Sequence, residues 1–119
     1  MRALAVPGAV EQIVDNFVDN ALEVAPAGSV VELDVSLAHD AVRGDEVVVR
    51  VSDRGPGLSA VDRGRAFDRF WRGAGGEPGG SGLGLAIVRT LADASGAQVV
   101  LLERDGGGLI AVVRLRAYA

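Results

Sequence analysis

Residues 79–84 read Gly-Gly-Ser-Gly-Leu-Gly and run straight into Leu85-Ala86-Ile87-Val88. Four glycines in six positions therefore open a segment whose apolar spacing predicts a helix. Glycine loses more conformational freedom on ordering than any other residue and brings no side chain to pack. Such a cluster is favoured where backbone must approach something closely. The free N–H groups and positive dipole end of a helix make an anion, phosphate above all, the natural occupant. A flexible connector is the competing explanation, and the rest of the chain has to decide.

Composition removes many alternatives. The 119 residues suit one domain, read here as residues 1–119, with one hydrophobic core. All 12 basic residues are arginine, set against 16 acidic ones, for a net charge of −4. An acidic chain is a poor general binder of nucleic acid. Without lysine there is no P-loop, no lysine Schiff base and no protein-kinase lysine. The absence of cysteine excludes disulfides, thiolate metal sites and thiol catalysis. No apolar run approaches the ~20 residues of a membrane span, so the expectation is a cytoplasmic domain without direct membrane contact.

Along the chain, apolar residues at three- and four-residue spacing from Val10 to Leu22 predict an amphipathic helix over residues 10–24. Val31, Leu33, Val35 and Leu37 alternate with polar residues as a half-buried strand. Residues 39–45 read as a polar turn, and Val47, Val49 and Val51 as a second strand running into Asp53. Residues 83–95 form a second helix with Leu83, Ile87, Leu91 and Ala94 on its apolar stripe, closed by Gly96. Strands over residues 98–103 and 109–115 follow, joined by a glycine-rich hairpin turn at 105–108. This order predicts an α+β fold, one mostly antiparallel sheet with helices on one face.

Three further constellations carry chemistry. Asn16 and Asn20, four apart, share one side of the first helix at the border of its apolar stripe. Neutral amide oxygens are hard donors suited to Mg²⁺, while surface polarity is the plainer explanation for either alone. Asp53 keeps the alternation of the valines before it, so it points at the face they bury and requires a donor. That donor is a ligand or, equally, the backbone of the turn Arg54-Gly55-Pro56-Gly57. The island Phe67-Asp68-Arg69-Phe70-Trp71-Arg72 offers two aromatic anchors and, in Arg72, a planar cation able to reach a terminal phosphate. A dinucleotide fingerprint does not fit, because its glycines follow a strand directly and here a long loop precedes them.

In this order the segments resemble the ATP-binding catalytic domain of sensor histidine kinases, within the superfamily shared with DNA gyrase and the heat-shock chaperone ATPases. Residues 15–22 resemble its N box, 53–57 its G1 box, 67–72 its F box and 80–85 its G2 box. The resemblance implies a two-layer Bergerat-type α/β sandwich with a mostly antiparallel mixed sheet and a mobile ATP lid over residues 58–82. It implies that Asp53 accepts a hydrogen bond from the adenine amino group and that Gly55 and Gly57 shape the adenine pocket. Asn20, helped by Asn16, would hold Mg²⁺ against the phosphates. Gly80, Ser81, Gly82, Leu83 and Gly84 would close on the phosphates, and Arg72 would contact the γ-phosphate. Superfamily ATPases carry a glutamate as general base where this chain has Asn16, an amide that cannot take a proton. Phosphotransfer is therefore expected over hydrolysis.

Two departures qualify that expectation. Histidine kinases usually place a basic residue where Glu23 stands, and an acid beside a triphosphate weakens binding by about 1 kcal/mol. The single histidine, His39, is expected on the surface and not as phosphoacceptor. The chain accordingly reads as part of the cytoplasmic portion of a membrane-bound bacterial sensor kinase. Its partners would be ATP, a histidine-bearing dimerisation domain and a downstream response regulator. A degenerate nucleotide-sensing or docking module, a superfamily ATPase and an anti-sigma serine kinase are the alternatives.

Overall fold

The computed structural model describes residues 2–3, 5–68 and 84–118. The elements run β1 (Arg2–Ala3), α1 (Ala9–Val24), β2 (Glu32–Asp40), β3 (Gly44–Ser52), α2 (Ala60–Arg65), α3 (Gly84–Ala94), β4 (Gln98–Glu103) and β5 (Leu109–Tyr118). β5 is the hub of the sheet. It pairs with β3 along one edge and with β4 and then β1 along the other, while β2 lies outside β3. Every pairing among the described residues is antiparallel. With helices gathered on one face, this is the α+β two-layer arrangement the sequence predicts.

The core follows from register. Val49 lies opposite Val113, Val51 opposite Ala111 and Val47 opposite Leu115, so one face of β3 and β5 is continuously apolar. Leu101 of β4 joins it opposite Ala111. Onto that face α1 presents Ile13, Phe17 and Ala21, one helical turn apart and all buried, and α3 presents Val88 and Ala92. The buried stripe of α3 thus runs through Val88 and Ala92, whereas Ile87 and Ala94, placed on it by the sequence reading, face outward. α3 ends as predicted: Gly96 adopts φ +66°, and the Ala97 N–H reaches back to the Ala92 carbonyl at 2.8 Å.

Three expectations change. The β2–β3 hairpin is longer than predicted, with strand reaching Asp40 and resuming at Gly44. Asp40 closes the turn by accepting from the Val42 and Arg43 N–H groups, each at 2.8 Å. The Arg43 N–H and then the Val42 N–H hold its carboxyl below the ordinary carboxylate range. His39 lies inside β2, exposed, with Nδ1 3.0 Å from Asp45 Oδ1. Leu33, Val35 and Leu37, predicted half-buried, are 57%, 62% and 62% exposed. They share the helix-side face, but β2 is the outer strand, and α1 packs over β3 while α2 and α3 pack over β4.

α2 is a short helix within residues 58–82, where the family resemblance implies a lid. Ser59 caps it, its hydroxyl accepting from the Asp62 N–H at 3.1 Å. Phe67, just beyond, is buried as the anchor expected of it, and the Arg89 guanidinium lies 6.0 Å from its ring centre.

Candidate functional site

The α1 amides face Gly84, the one described residue of the glycine-rich run, and the turn after Asp53 packs on Val24 at the end of the same helix. The polar border of α1 supplies Asn16 and Asn20, both half-buried, while Asp15 and Asp19 point to solvent. Asn16 Nδ2 donates to the Gly84 carbonyl oxygen at 3.0 Å, which ties α1 to the first residue of α3. Asn20 stands one turn further along, and a Cβ added to Gly84 would lie 3.8 Å from its Oδ1. The start of α3, where the sequence reading placed an anion, thus faces the two amides.

Asp53 comes from the end of β3. Two residues past Val51, it keeps the helix-side direction and is only 4% exposed. Its N–H donates to the Leu109 carbonyl at 3.0 Å, extending the β3–β5 ladder by one rung. Its Oδ1 accepts from the Gly55 N–H at 2.8 Å, so the turn is indeed one partner of the carboxylate. The turn leaves no room for a side chain at either of its glycines. A Cβ on Gly55 would stand 2.8 Å from Val24 Cγ2 and 2.9 Å from the Val24 carbonyl oxygen. Gly57 sits at φ +71°, and its Cβ would stand 3.0 Å from the Gly108 carbonyl oxygen. The loop is thereby clamped between the end of α1 and the β4–β5 turn.

Gly108 is a residue that sequence reasoning passed over as simple hairpin. At φ +112° it lies against the Asp53 carbonyl group, and a Cβ there would collide with it. Three successive glycines where a two-residue turn needs fewer were the available signal. Gln12, four residues before Asn16 on the same helix face, was also missed; its Nε2 donates to Asn16 Oδ1 at 2.9 Å. Glu23 is exposed, in the last turn of α1. Arg72, Gly80, Ser81, Gly82 and Leu83, with the lid beyond residue 68, lie outside the described residues.

Over residues 5–119 the chain matches the family model for the histidine kinase-, DNA gyrase B- and HSP90-like ATPases. The chain belongs to that family. Among the histidine kinase-, DNA gyrase B- and HSP90-like ATPases, it is similar in sequence to sensor proteins. It is 48% identical over 92 residues to the swarming motility regulation sensor protein RssA of Serratia marcescens, covering 76% of this chain and 19% of RssA. It is 37% identical over 113 residues to the sensor protein KdpD of Rathayibacter rathayi, covering 94% of this chain and 12% of KdpD. The chain thus spans less than a fifth of the length of either relative. Among solved structures, the mycobacterial sensor histidine kinase MprB superposes with a TM-score of 0.77 at 26% identity, over 91% of this chain and 70% of that one. Full-length ShkA in complex with AMPPNP gives 0.70 at 29% identity, over 94% and 22% respectively. Within the family, the chain is of the sensor histidine kinase ATP-binding type. No helix among the described residues is long and apolar enough to cross a membrane.

Proposed function

We propose that this domain binds ATP with Mg²⁺ and donates the γ-phosphoryl group to a histidine on a separate dimerisation domain of a two-component sensor kinase. The observation that carries the reading is that α1 joins two parts: its pair of amides faces the start of α3, and its last residue packs on the glycine turn that follows the buried Asp53 carboxylate. The donor set suits both ligands. Asp53, buried and bonded by the Gly55 N–H through one oxygen, would accept from an exocyclic amino group. Gly55 and Gly57 let the turn pack closely on Val24 and Gly108, and by the family resemblance this turn would shape the adenine pocket.

Asn20 offers a neutral oxygen beside the α3 N-terminus, where a triphosphate also finds free N–H groups. Asn16 supports it from one turn away. Bound Mg²⁺ supplies charge neutralisation across the phosphate oxygens. By resemblance to the family motifs, Gly80, Ser81, Gly82, Leu83 and Gly84 would cover the phosphates and Arg72 would contact the γ-phosphate. Catalysis is then positioning and charge stabilisation: the bond from the γ-phosphorus to ADP breaks as a bond to an imidazole nitrogen forms, and ADP leaves with the electron pair. Asn16, unable to take a proton, does not activate water.

Glu23 favours one second reading, a nucleotide-sensing or docking module that does not transfer phosphate. Both readings are separated by supplying, in trans, an isolated helical dimerisation domain bearing the phosphoacceptor histidine, with labelled ATP and Mg²⁺. Acid-labile, base-stable phosphate is expected on that domain, and none on the 119-residue chain by itself. Nucleotide binding without any transfer would instead support the sensing module.

A further inference from the structure

The Asn16 amide is held at both ends. Its Nδ2 donates to the Gly84 carbonyl oxygen at 3.0 Å, and its Oδ1 accepts from Gln12 Nε2 at 2.9 Å. The Gly84 oxygen can only accept, so Asn16 must turn its NH₂ toward α3. Its oxygen then faces Gln12, which must offer its own NH₂. Each amide orientation thus dictates the next. Gln12 is exposed and lies four residues before Asn16, as Asn20 lies four residues after it, so all three share one helix face.

We infer that Gln12 is a positioning residue of the nucleotide site. By donating to Asn16 it fixes the amide that latches the first residue of α3 onto α1, and thereby the gap between Asn20 and the α3 N-terminus. This rests on the site assignment made under Proposed function. Gln12 touches no ligand itself; it acts through Asn16. Removing its NH₂ leaves the Asn16 oxygen without that donor and lets the half-buried amide rotate, which would turn oxygen toward the Gly84 oxygen and open the latch.

Gln12→Glu is the informative variant. It preserves size and helix propensity at an exposed position, but an ionised carboxylate only accepts, so it asks Asn16 for the opposite orientation. The measurements are the side-chain amide ¹⁵N–¹H spectrum, the unfolding midpoint, and calorimetric affinity for a non-hydrolysable ATP analogue with Mg²⁺. They are made on the 119-residue chain, Gln12→Glu, Gln12→Ala, Asn16→Ala and the double variant Gln12→Ala/Asn16→Ala. The parent is expected to show a slowly exchanging Asn16 NH₂ pair. In Gln12→Glu that signal moves or broadens and affinity falls about five- to tenfold, the worth of one neutral hydrogen bond, with little change in unfolding midpoint. Gln12→Ala should add nothing once Asn16 is alanine.

An Asn16 signal and an affinity both unchanged in Gln12→Glu would overturn the inference. So would an equal loss from Gln12→Ala with and without Asn16, since the effect would then bypass the latch. If the parent itself binds no nucleotide, the site assignment fails and this positioning role fails with it; a parent that binds while the Gln12 variants match it overturns the positioning role alone.

Discussion

Replacing Gly108 by alanine is expected to destabilise the domain by about 3–5 kcal/mol, combining an unfavourable positive φ with a steric collision. The new Cβ would drive into the backbone carbonyl of Asp53, and backbone cannot swing aside as a side-chain tip can. A loss of that size is a large fraction of the roughly 5–15 kcal/mol by which domains are stable. Gly107→Ala is the internal control. Gly107 has a similar φ of +104°, but a Cβ there meets nothing within 4 Å. Its cost should stay near the backbone strain alone, about 1–2 kcal/mol. Urea unfolding of both variants separates the two contributions, and equal losses would show that the contact with Asp53 contributes nothing.

Gly55→Ala is the second large effect. Its Cβ would press on both the Val24 side chain and the Val24 carbonyl oxygen, so the turn has to lift away from the end of α1. We expect about 2–3 kcal/mol of destabilisation and a loss of nucleotide affinity of about tenfold or more as the Asp53 carboxylate loses its alignment. Val24→Ala in the same chain removes Cγ2 but not the carbonyl oxygen. The double variant should therefore recover only part of the loss. Full recovery would mean that the side chain, and not the backbone, sets the closeness of the turn.

Much of this architecture was legible in the sequence because periodicity reports burial directly. The Ile13, Phe17, Ala21 stripe and the β3 valines are the observed core, and Asp53 points where the alternation aimed it. Where the reading fell short, the missing information was tertiary. Alternation in β2 shows which side its leucines and valine take, not that the helix layer lies elsewhere. The stripe on α3 was rotated because its leucine- and alanine-rich sequence admits more than one apolar face, and contact with α1 selects Val88 and Ala92. α2 carries few apolar residues, although Ser59 with Asp62 three residues on was a legible cap. The glycine of the β4–β5 turn that abuts Asp53 is 55 residues away in sequence, and no local rule connects them.

In the proposed function, Asp53 and its turn form one wall of a nucleotide site. The most direct test is calorimetric binding of a non-hydrolysable ATP analogue, with and without Mg²⁺, to this chain and to Asp53→Asn. Asparagine keeps an oxygen for the Gly55 N–H, so the turn survives. Its NH₂ would meet the ligand's amino group donor to donor. Metal-assisted binding by the parent is expected, with a loss of about 100-fold in the variant, the scale of a charged hydrogen bond replaced by a mismatch. A folded parent that binds no nucleotide, or an Asp53→Asn variant that binds as well as the parent, would contradict that assignment.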